Sequence, residues 1–113
     1  MKPDATPERG DVVWLSFSPQ AGREQAGRRP ALVLTPTVFN RRVGLAFVCP
    51  ITSRVKGYPF EVALRGAGDV SGVVLVDQLR TLDWRARRAE PAGRAPTAVM
   101  AEVMARLRPL LGA

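Results

Sequence analysis

The chain has no histidine, one cysteine, and ten carboxylates against seventeen basic residues in 113 positions. Without histidine the usual general base is missing, and with it the Ser/His/Asp and Cys/His nucleophile systems. Cys49 has no partner for an internal disulfide and no imidazole to share a zinc ion with. It lies in an apolar run and is expected to be a small buried residue of a reducing compartment. No glycine-rich phosphate loop ending in Lys-Ser/Thr occurs, which argues against nucleotide hydrolysis. The carboxylates Glu24, Glu61, Asp69, Asp77 and Asp83 are scattered singly, so no two-metal site is predicted. Neither metal nor cofactor is expected. No apolar stretch approaches the ~18–20 residues that span a bilayer, and the opening MKPDATPERGD has no apolar signal core. A cytoplasmic protein without membrane contact is expected.

What the chain does have is arginine. Fifteen of the seventeen basic residues are arginine, and the formal net charge is +7. Twelve basic and five acidic residues between Arg23 and Arg88 account for all of it. Forked guanidinium donors match phosphates and base edges, so a nucleic acid or an acidic protein is the expected partner.

The length fits one domain over residues 1–113, with 1–8 as a loose tail. Period-two patterns predict a strand at 11–18, with Val13, Leu15 and Phe17 on one face and Trp14, Ser16 and Ser18 on the other. A Gly/Gln/Arg loop at 19–29 follows, longer than an ordinary hairpin connection. Further strands are predicted at 30–35, 45–52 and 60–65, and one strand running into a short second over 73–84. TVFNRRVG reads as a turn punctuated by Asn40 and Gly44, GAGDVSG as a flexible connection, and RARRAEPAGRAP as unpatterned. From 97 onward Val99, Met100, Val103, Met104, Leu107, Leu110 and Leu111 recur at helical spacing. The expected architecture is mainly β with a C-terminal helix, as a small SH3-like barrel.

One reaction suits a site without metal or imidazole. RNA carries its own nucleophile, the ribose 2′-OH beside the scissile phosphate. A protein then has to orient the sugar, neutralise charge on the phosphorane and handle two protons. Arginine and hydroxyl groups supply the charge stabilisation, while a carboxylate or a water is the easier proton acceptor.

The segments GDVVWLSF, GREQAGRRPALVLTP, FVCPITS, KGYPFEV and GVVLVDQLRTLDW, followed by the helix, resemble the MazF/PemK family of toxin endoribonucleases over residues 9–111. The resemblance implies a homodimeric toxin that cuts single-stranded RNA, including mRNA, at a short sequence without metal, leaving 2′,3′-cyclic phosphate and 5′-hydroxyl ends. It also implies a cognate antitoxin that binds through an acidic extended segment, with DNA reached only through the antitoxin complex. The family's catalytic arginine falls on Arg29 and its threonine on Thr52. Glu24 is a proton acceptor or an ion-pair partner of Arg29. Gln25, Lys56, Asp77 and Gln78 fall on matching family positions and are expected to bind RNA; Arg28, which departs from the family's pattern beside Arg29, is a further candidate RNA contact. Trp14 and Trp84 are placed in the core or an interface rather than against bases. Two alternatives stand beside this reading. One is a non-nuclease toxin of the CcdB kind acting on a protein such as DNA gyrase. The other is a non-catalytic nucleic-acid-binding module.

Overall fold

The computed structural model describes residues 5–17 and 27–113. Seven strands and two helices follow one another as β1 (Asp11–Ser16), β2 (Arg28–Val33), α1 (Thr37–Val43), β3 (Ala46–Thr52), β4 (Glu61–Ala67), β5 (Val70–Leu75), β6 (Arg80–Leu82), β7 (Glu90–Arg94) and α2 (Thr97–Leu110). They form one antiparallel sheet in the order β4-β5-β3-β2-β1-β7, with β6 added beside β3. The sheet curls until its edges meet. A Cβ on Gly93 of β7 would stand 2.7 Å from the Ala67 carbonyl of β4, so only glycine permits that approach. The result is the mainly-β half-barrel with a C-terminal helix that the sequence pattern leads one to expect.

The central strands are buried on both sides. Val12, Leu32, Cys49 and Ile51 enter one core with Val62, Leu64 and Val74, while Val13, Leu15, Ala31, Val33 and Val48 enter a second with Trp84. The strand β1 is therefore more than half-buried: Val12 enters the first core, Val13 the second, and Trp14 is the residue that emerges. Val103 and Leu107 of α2 close the first core, each worth about 1.5–3 kcal/mol when fully buried. The apolar stripe ends there, since Leu110 and Leu111 are exposed.

Three segments differ from the sequence expectation, each for a local reason. TVFNRRV is a helix, and Gly44 is its left-handed C-cap, donating to the Asn40 carbonyl. The expected turn residue Asn40 is fully buried instead. Its side-chain amide donates to the carbonyls of Pro7 and Thr35, both at 2.9 Å, and its side-chain oxygen accepts from the Thr35 hydroxyl. Pro7, in the segment assigned to a loose tail, is accordingly buried against α1. Glu90–Arg94 form an edge strand, where a proline at position 91 leaves no ladder position without its donor. The stretch Asp77–Gln78 lies in a 3-10 turn (Val76–Gln78) rather than a strand. Trp84 is buried within its own chain, its indole N–H donating to the Asn40 carbonyl at 2.9 Å, and so supplies no interface.

Candidate active site

The site forms where two neighbouring strands part. Pairing of β2 with β3 runs from Val33–Val48 to Ala31–Pro50. Past Pro50, β3 pairs with β5 instead, through Ile51–Val74 and Thr52–Val73. Pro30 has no N–H to donate, so the ladder between the two strands loses a donor at that point. Arg29 projects from the end of β2, and Thr52, Ser53 and Arg54 from the end of β3. Together with Lys56, Tyr58, Glu61 and Leu75 they line a cleft of about 280 Å³.

Thr52 is 6% exposed, and its hydroxyl accepts the Arg54 N–H at 3.1 Å. That bond orients the oxygen at the mouth of the cleft. Behind it lies Gly72 of β5, at φ +125°, where a Cβ would come within 2.2 Å of the Thr52 carbonyl oxygen. By its flanking residues this glycine is expected in a flexible connection. It lies inside a strand, against another backbone, where glycine's missing Cβ allows the close approach.

The far wall is a turn clamped by side chains to which the sequence pattern assigns no role. Glu61 accepts the backbone N–H groups of Lys56 at 3.0 Å and Gly57 at 2.7 Å. Arg106 of α2 donates to the Pro59 carbonyl. Tyr58 donates its hydroxyl to Asp77 at 2.9 Å. Burial first, then that hydrogen bond and the charges of Asp77 and Glu61, push the Tyr58 phenol up to about 12. It stays neutral at physiological pH.

Of the expected site residues, the structure brings Arg29, Thr52 and Lys56 to one cleft, with Asp77 joined to it through Tyr58. Gln78 is half-buried in the same 3-10 turn as Asp77 and is not among the residues lining this cleft. Glu24 and Gln25 lie outside the described residues. Arg28 and Arg29 have different surroundings. The guanidinium of Arg28 is held by the Glu90 carboxylate and by the Arg88 carbonyl at 2.8 Å, whereas Arg29 shares its cleft with Thr52. The loop between them and β1 is closed at its stem by the Phe17 N–H donating to the Gly27 carbonyl at 2.8 Å.

Cys49 takes no part. Burial, then the charge of Asp77, pushes its thiol up to about 12, and a thiol held protonated is a poor nucleophile. Among the described residues no three of Asp, Glu and Cys gather as a metal-binding group, and no helix is long and apolar enough to cross a membrane.

The half-barrel carries its C-terminal helix on one core and brings an arginine and a threonine to one cleft where two strands part. The chain matches, over residues 8–111, the family described as PemK-like, MazF-like toxin of type II toxin–antitoxin systems. It belongs to that family. It is 42% identical to the endoribonuclease toxin MazF of Escherichia coli, across 94% of this chain and 95% of that one. The endoribonuclease PemK of Escherichia coli is 44% identical, across 92% and 81%. A crystal structure of MazF from Deinococcus radiodurans is 58% identical and superposes with a TM-score of 0.93, covering 97% of this chain and all of that one. A MazE–MazF complex from the same organism is 59% identical with a TM-score of 0.86, covering 96% and 98%.

Proposed function

We propose that this endoribonuclease toxin cuts single-stranded RNA by using the substrate's own 2′-OH, in a cytoplasmic reaction that needs no metal. The observation that carries the reading is Arg29 and Thr52 lining one cleft at the parting of β2 and β3. Arg29 stabilises the charge that grows on the non-bridging oxygens or on the leaving 5′-oxygen, and the Thr52 hydroxyl donates to the same phosphate. Glu24 is the candidate proton acceptor, and Gln25 the candidate base reader beside it. Lys56, on the turn clamped by Glu61, meets the backbone of the RNA. Asp77 and Gln78 serve as polar contacts on the same side, and Arg28, neutralised by Glu90, contributes less than Arg29.

The partner of this toxin is an antitoxin, and its acidic extended segment occupies the arginine-bearing groove in competition with RNA. Val38 and Val43 of α1 and Phe47 of β3 are exposed apolar side chains, and they support a homodimer. The test is cleavage of a long single-stranded RNA in excess EDTA. Fragments with 2′,3′-cyclic phosphate and 5′-hydroxyl ends are expected. Loss of cutting in EDTA, restored by added Mg²⁺, overturns the metal-free scheme.

A further inference from the structure

The cleft continues past Arg29. Arg29 and Ser53 also line a second opening of about 350 Å³, whose other walls include Trp14, Arg28, Asp69 and Ser71. Trp14 stands on β1 between Pro30 of β2 and Glu90 of β7, and it is 39% exposed where the strand's other large side chains are buried. Arg28 beside it is immobilised by Glu90 and the Arg88 carbonyl. Asp69 lines the opening from the β4–β5 turn and Ser71 from the start of β5, and both are exposed. An exposed indole next to a fixed guanidinium and a hydroxyl, continuous with a phosphate-binding arginine, matches the needs of an unpaired nucleotide: a π-face to stack on and polar groups for its edge.

We propose that this second opening is a subsite for one nucleobase flanking the cut. The base stacks on Trp14 while its phosphate connects to Arg29, so the RNA crosses from the Thr52 cleft into the Trp14 cleft. Asp69 accepts hydrogen bonds and donates none, so it favours a base presenting an amino group over uracil, whose Watson–Crick N–H is flanked by carbonyl oxygens. The subsite rests on the ribonuclease reading above. It places Trp14 against a base, contrary to the sequence expectation, while Trp84 stays in the core.

The two tryptophans make the test direct. Trp84 is 5% exposed with its N–H already donated, so a fluorescence change on binding reports Trp14. The probe is a single-stranded RNA spanning a mapped cut site, with one 2′-deoxy sugar there to block cutting. Its saturating addition is expected to quench tryptophan emission in the wild type and not in Trp14→Phe. Trp14→Ala is expected to weaken binding roughly 10- to 100-fold, with Trp14→Phe restoring most of the loss. An abasic nucleotide walked along the probe should reproduce that loss at one flanking position. The same abasic probe should cost Trp14→Ala nothing further. The walk is done on wild-type protein, so it decides the matter even where the alanine variant fails to fold. Quenching that is absent at saturation, or an abasic walk without a sensitive flanking position, overturns the subsite while cutting of unmodified RNA leaves the ribonuclease reading standing. A wild type that cuts no RNA removes both.

Discussion

The two ends of the barrel treat their polar groups in opposite ways. At the closed end, around α1, the Asn40 side chain is buried and every one of its hydrogen-bonding groups is matched to Pro7 or Thr35, while its backbone carbonyl receives Trp84. At the open end, Arg29, Lys56 and Tyr58 border a cleft, and the carboxylates Glu61 and Asp77 fix backbone N–H groups and a phenol there. A satisfied buried network contributes to a single packed state. A cleft of preorganised donors gains its energy when a ligand's charge arrives. Substitutions at the closed end should therefore lower stability, and those at the open end should lower rate.

Gly72 is the position where that division breaks, because it is sheet backbone in contact with Thr52. Gly72→Ala places a Cβ 2.2 Å from the Thr52 carbonyl oxygen at a φ of +125°. Both the melting temperature and the cleavage rate should fall, the largest combined loss of any conservative change described. A variant that melts like the wild type and cuts at full rate would mean that the β3–β5 contact does not position Thr52.

Arg29→Ala comes next. Removing a preorganised charge donor should cost on the order of 10²–10³ in kcat with a smaller effect on RNA binding, and the melting temperature should hold. Arg29→Lys should recover only part of the rate, since an ammonium lacks the planar fork. Thr52→Ala should cost less, because a neutral hydroxyl stabilises charge more weakly than a guanidinium. Arg28→Ala, losing a group already paired with Glu90, should cost least of these. Single-turnover kinetics on one RNA separates the four. An Arg28→Ala loss exceeding that of Arg29→Ala would exchange their roles.

Asn40→Ala tests the closed end. The carbonyls of Pro7 and Thr35 lose their donor in a buried site, at a cost of roughly 2–4 kcal/mol. Thermal unfolding should register the loss while the rate per folded molecule stays near that of the wild type.

The remaining expected effect lies in alkali, outside the range in which the protein works. Cys49 and Tyr58 ionise from 9.0 and 10.0 in the unfolded chain, and the fold holds both protons up to about 12. Above pH 9 the folded state therefore binds more protons than the unfolded one. Their contribution is intact below pH 9 and declines as pH rises toward 12. Denaturant midpoints measured across that range should fall. Cys49→Ala should flatten the part of the fall that begins at pH 9.

Much of the architecture is legible in the sequence because burial imposes period two on strands and a stripe on α2. The alternation of Val13, Leu15 and Phe17 and the run from Ala31 to Leu34 mark core strands without any tertiary information. The helix α1 escapes because it is short, and because Asn40 and Gly44 signal a turn and a helix end alike. The strand β7 escapes because an edge position tolerates the proline and glycine that normally argue against pairing. At the site, Arg29, Thr52 and Lys56 are legible through family resemblance, and their convergence depends on where the β2–β3 ladder stops. Glu61 and Gly72 act on backbone groups, and Tyr58 on the Asp77 side chain, four to twenty residues away in sequence, which no local pattern encodes.

The central claim is that the substrate's own 2′-hydroxyl attacks the phosphate held between Arg29 and Thr52. The most direct measurement is the cleavage of a short RNA with one 2′-deoxy sugar at the mapped cut site, beside its all-ribose twin. The account predicts that the twin is cut and that the deoxy substrate, bound with similar affinity, is inert. Cutting of both at the same rate would make water the nucleophile and would contradict the account.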